Sequence, residues 1–84
     1  MLIEAVWAEV IVSGEHLLLF SEHNALGVQT SVYHVTTKSW IAPSERVDDI
    51  EQGRERAAEY VRAYLKRAAN AELPRLEWKK ARSP

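Results

Sequence analysis

Leu2–Val12 reads as a strand that is apolar on both sides, and the chain that follows offers only one helix to cover it. The run is rich in Ile, Val and Trp and contains no Gly or Pro, which favours extended backbone. Its even side is Leu2, Glu4, Val6, Ala8, Val10 and Val12; its odd side is Ile3, Ala5, Trp7, Glu9 and Ile11. A sheet with one face in water alternates apolar and polar residues, and this one does not. Leu17-Leu18-Leu19-Phe20 repeats the pattern, with Leu17 and Leu19 on one side and Leu18 and Phe20 on the other. One helix shields one face. The surplus apolar surface needs a second cover: the Trp40 and Trp78 segments in part, and a second copy (a homodimer) or a partner protein for the rest.

The remaining punctuation is regular. Ser13-Gly14 is a turn signal, 16–21 a second strand, 22–27 a loop with Asn24 and Gly27, and 28–37 a third strand. Short connections between them imply an antiparallel meander. Pro43 cannot continue a central strand, so Trp40-Ile41-Ala42-Pro43 is expected to end the sheet, with Trp40 packed against the start of the helix. That helix spans about 49–69. Asp48 with Glu51 resembles a capping box, and Ile50, Ala57, Val61, Tyr64, Leu65 and Ala68 form one apolar stripe. Gly53 looks like a weak point worth about 1 kcal/mol against Ala. Glutamates early and Arg62, Lys66 and Arg67 late suit the helix dipole. Asn70 is the expected end, and Pro74 forbids continuation. A short strand over 75–79 or a packed tail follows, with Lys79–Pro84 frayed. The expected architecture is one α+β domain over 1–84. It is an antiparallel sheet of three to four strands, an N-terminal meander, with one long C-terminal amphipathic helix on one face.

Charge is divided along the chain. No Lys or Arg precedes Lys38, and the first 37 residues carry Glu4, Glu9, Glu15 and Glu22. Residues 1–47 hold five acids and two bases (−3), and residues 48–84 hold seven acids and nine bases (+2). An acidic front half cannot hold a phosphate backbone, but it can hold a basic protein surface. The apolar start lacks a basic flank and is broken by Glu4 and Glu9, so it is not read as a signal peptide. No apolar run is long enough to cross a membrane. Without cysteine there is no disulfide and no thiolate zinc site, which fits a reducing cytoplasm.

No catalytic motif stands out, no cofactor is implied, and an enzyme is not expected. The serines lie in no nucleophile motif and the glycines in no phosphate loop. Glu15-His16 and Glu22-His23 could supply acid–base chemistry or metal ligands, but His16 and His23 differ by an odd number and point to opposite faces of one strand. His34 lies on another strand and can approach only one of them. Arg75, Lys79, Lys80 and Arg82 beside Trp78 could bind single-stranded nucleic acid, or serve as a solubilising tail. The helix bases read as a solvated face. The carboxylates Glu15, Glu22, Glu45, Asp48 and Asp49 fall at strand ends, loops and the start of the helix. They are the candidate partner-binding residues, against the simpler reading of turn chemistry and capping.

A strand-rich N-terminus, the strand Val32-Tyr33-His34-Val35, then Ser39-Trp40-Ile41-Ala42-Pro43 and an acid-capped helix from Asp48 through Ile50 resemble small immunity proteins of bacterial polymorphic-toxin and contact-dependent growth-inhibition systems. The resemblance covers about residues 28–69. It implies a protein that binds a cognate toxin domain, often a nuclease, and blocks its active or substrate-binding surface. It assigns no particular residue to that task. The alternative is a small nucleic-acid-binding or regulatory domain that uses the basic helix and tail; a third is a metal protein or minor enzyme subunit using His16, His23 and His34.

Overall fold

The computed structural model describes residues 2–81. Four strands, β1 (Leu2–Val12), β2 (Glu15–Asn24), β3 (Gly27–His34) and β4 (Ser39–Val47), run as an antiparallel meander into helix α1 (Ile50–Ala69), and a two-residue strand β5 (Lys79–Lys80) closes the order β4-β3-β2-β1-β5. The expected α+β sheet with one helix on one face is what forms, with five strands rather than three or four. β2 is longer than expected because 22–27 is not an open loop. Its strands run to a tight turn at Asn24–Gly27, where Asn24 Oδ1 accepts the Leu26 N–H at 2.9 Å. At the β1–β2 turn Ser13 and Gly14 both hold positive φ (51° and 80°), as a two-residue hairpin of the tight kind requires.

The helix lies over β2 and β3, with less contact to β4. Its buried residues recur every fourth position, Gly53, Ala57, Val61 and Leu65, against Leu17, Leu19 and Val32 of the sheet. Tyr64 is half-buried beside them and Ala68 is exposed. The rest of the inner face, including Ala8 and Val10 of β1, is covered by the segment after the helix, whose Leu73, Leu76 and Trp78 pack on the same core. Arg54 stacks 5.3 Å from the Trp78 ring. The tail then pairs with β1 as Lys79–Lys80, not over 75–79, and Lys79 and Lys80 are paired rather than frayed. Arg82–Pro84 fall outside the described residues.

Three local expectations are corrected. First, Pro43 does not end the sheet. It lies inside β4, an edge strand, where the register to β3 slips twice, between Thr30 and Val32 and between Val32 and Tyr33. An edge with bulges needs no N–H from Pro43. Second, Trp40 does not touch the start of the helix. It is 55% exposed and sits against Tyr33 (4.9 Å between ring centres) and Phe20 (6.2 Å) on the opposite face of the sheet. Third, Gly53 is a requirement rather than a weakness. A Cβ there would lie 2.1 Å from Ser21 Oγ and 3.0 Å from Ser21 Cβ. The first turns of the helix press onto β2 at this point, where Ser21 Oγ donates to Ile50 O (2.9 Å) and the Thr30 hydroxyl lies 2.8 Å from Gly53 O.

Capping follows the expected chemistry one residue later. Asp49, not Asp48, is the N-cap: its Oδ1 accepts the Gln52 N–H at 2.7 Å, while Gln52 Oε1 accepts the Asp48 N–H at 2.6 Å. Asp48/Glu51 and Asp49/Gln52 satisfy the same spacing, so sequence alone does not separate them. Asn70 ends the helix in the left-handed conformation (φ 48°), as expected.

Candidate protein-docking face

The face of the sheet away from the helix is assembled by register. Trp7 stands opposite Phe20, which stands opposite Ser31; Glu9 opposite Leu18, opposite Tyr33, opposite Trp40; Ile11 opposite His16. These three rows place four aromatic rings and two aliphatic side chains on one surface. Trp40 and Ile11 are exposed, Ile11 at 67%, and Trp7, Leu18, Phe20 and Tyr33 are half-buried. No described element of the chain crosses this face. The cover expected from the Trp40 and Trp78 segments is therefore supplied only in part: the Trp78 segment covers the inner face beside the helix, and Trp40 enlarges the open face.

The charges on this face are specific. Glu9 is exposed and accepts from His16 Nε2 at 2.6 Å when the ring donates. Glu22, opposite Ala5 and Gln29, borders the aromatic rows. Cations stand at the edges. Lys79 sits 5.2 Å from the centre of the Trp7 ring, and Arg46 donates to Leu26 O at 2.7 Å.

The five carboxylates singled out in the sequence do not converge. Glu22 alone shares the open face. Glu15, at the start of β2, accepts from His34 Nε2 at 2.5 Å and from the Tyr64 hydroxyl at 3.1 Å, and so ties sheet to helix. His34 is 3% exposed, and its Nδ1 accepts the Thr37 N–H at 3.2 Å, which leaves the ring proton on Nε2 facing Glu15. The His34 bond holds the Glu15 carboxyl below the usual carboxylate range; partial burial opposes this, and the Tyr64 bond adds to it. Burial, and then the bond to Glu15, push the Tyr64 hydroxyl up. Glu45, on the helix side of β4, accepts from Arg56 Nε at 2.7 Å and from Tyr60 at 2.9 Å, and these bonds hold its carboxyl below the usual carboxylate range in the same way. Asp48 and Asp49 line a shallow trough of about 730 Å³ with Glu4, His23 and Ile50.

His16 is on the open face, whereas His23 lines that trough and His34 is buried under the helix. Among the described residues no group of three or more His, Cys, Asp or Glu could hold a metal ion. The basic helix residues are partly engaged: Arg54 with Glu51, and Arg56 with Glu45 and Glu59. Among the described residues no helix is long and apolar enough to cross a membrane.

The apolar set Trp7, Leu18, Phe20, Tyr33 and Trp40 was not among the residues that sequence reasoning selected as partner-binding. Its signal was present in the two-sided apolarity of the first two strands; parity from the Ser13-Gly14 turn gathers Trp7 and Phe20 onto one side. Comparison with protein-family models, with curated proteins and with solved structures finds no match for the chain.

Proposed function

We propose that this chain is a non-enzymatic binding protein that docks another protein, of the immunity-protein kind, neutralising a cognate bacterial toxin domain by covering its active or substrate-binding surface. The observation that carries the binding role is the uncovered aromatic face. A folded chain of this size seldom leaves Trp, Tyr, Phe and Ile together in water, and such clusters with a polar border are the composition of interface centres. The toxin class rests on the resemblance over residues 28–69 and on the acidic front half, which suits a toxin with a basic nucleic-acid-binding surface. A cysteine-free inhibitor of this kind would act in the cytoplasm.

Protection tests the reading. Bacteria expressing a toxin domain encoded beside this chain should survive when the chain is co-expressed, and the two purified proteins should form a stable complex. The reading fails if no such complex forms and the chain instead binds duplex or single-stranded oligonucleotides with a steep loss of affinity in salt.

A further inference from the structure

Charge and ring placement on the open face go further and describe the partner. We infer that the open sheet face, rather than the acidic turns, is the docking surface, and that it takes a protein segment with an apolar centre flanked by Lys or Arg. This rests on the protein-binding reading and deepens it.

The centre of the face is Leu18, Phe20 and the Tyr33 ring, an apolar surface that apolar atoms of a partner match best. Around it the attractions for cations lie on two sides. Glu9 and Glu22 stand on β1 and β2; Trp40 stands on β4, three strand spacings or about 14 Å from Glu9. The chain itself shows how a cation sits on this surface: Lys79 lies over Trp7. Trp40 is the more exposed tryptophan of the face, and among the described residues no cation of the chain is stacked on it. A partner Lys or Arg on Trp40, and another at Glu9 or Glu22, would complete the pattern.

Other occupants fit worse. A single nucleic-acid strand could stack on the rings, but it also needs cations along its backbone path. Here the charges bordering the rings on β1 and β2 are the carboxylates Glu9 and Glu22, Lys79 is taken by Trp7, and Arg46 turns to Leu26 O. A second copy would bury two sets of Glu9 and Glu22 in one interface, where like charges oppose association.

The test is selection of a random displayed peptide library against the full chain, followed by affinity measurement on variants whose circular dichroism and melting match wild type. Enriched peptides should carry Lys or Arg on either side of an apolar or aromatic centre. Trp40→Ala and Tyr33→Ala should each weaken them about tenfold or more. The double change Glu9→Lys with Glu22→Lys should redirect selection toward Asp- and Glu-bearing peptides. Basic peptides that bind all variants equally would place the docking surface elsewhere and overturn this inference while leaving the protein-binding reading standing. Peptides without charge preference, or a wild-type dimer in sedimentation that Trp40→Ala dissolves, would also overturn it. No enriched peptide, together with tight binding of oligo-dT, would sink both.

Discussion

The covered and open faces of this sheet are built from alternate residues of the same strands, yet they follow different rules. On the covered face small residues meet large ones: Ala8, Ala57 and Gly53 let Leu17, Leu19, Val61 and Leu65 close without exposed atoms. Several buried polar groups there are matched: Ser21 and Thr30 on helix carbonyls, and His34 on Glu15. On the open face the side chains are larger, mostly aromatic and half-buried or exposed, and Phe20, Tyr33 and Trp40 pack on one another. The first face is what a fold needs. The second exceeds what stability needs, and that surplus argues for a partner.

The comparison breaks most readily in the core. Leu19→Ala should destabilise the chain by about 2–5 kcal/mol, because Leu19 is fully buried between sheet and helix. A loss below about 1 kcal/mol in urea unfolding would mean that the two faces are not energetically distinct. Gly53→Ala comes next. At an exposed helix site this change gains about 1 kcal/mol. Here the added methyl meets Ser21, and the change should instead cost about 1–3 kcal/mol. The cost should shrink in a Ser21→Ala background, which removes the nearest obstructing atom, and a double-mutant cycle measures that coupling.

Acid sharpens the comparison at the rim of the covered face. Glu15 and Glu45 are more acidic when folded than ordinary glutamates, so each contributes stability above the ordinary carboxylate range, lost as pH falls through its lowered folded value. Urea midpoints measured down an acid series should therefore fall, and Glu15→Gln should fall less steeply than wild type. An identical slope in the variant would remove Glu15 from the account. The smallest effect belongs to the open face: Trp40→Ala should change unfolding stability by less than about 1 kcal/mol, since the ring is more than half exposed. A larger loss would mean that this face serves the fold.

Much of this was legible in the chain. Two-sided apolarity in Leu2–Val12 and Leu17–Phe20, with one helix to follow, already implied apolar sheet surface beyond what the helix covers. Ser13-Gly14 and Asn70 declared their turn and cap. What escaped was parity in β4. A single bulge reverses which side of the sheet a residue faces. The first slip in β4 turns Ala42 into the core; the second returns Trp40 to the open side, opposite Tyr33. Pro43 sits within the first slip and is its one local sign, but a proline signals the end of a strand as readily as a bulge, and nothing local announces the second slip. Gly53 is opaque for a related reason: its meaning lies in Ser21, 32 residues earlier, and not in the helix around it. The candidate carboxylates were chosen as turn residues, and side-chain partners on the helix, Tyr64 for Glu15 and Arg56 for Glu45, became visible only in three dimensions.

The three tryptophans allow one direct test of the central claim that the open face is where a protein docks. Trp7 and Trp40 lie on that face, and Trp78 is packed on the helix side. Each indole N–H gives its own NMR signal in the nitrogen-labelled chain. On titration with the toxin domain, or with a selected basic peptide, the Trp7 and Trp40 signals should shift or broaden while Trp78 stays in place. Movement of Trp78 with Trp7 and Trp40 unchanged would contradict the account.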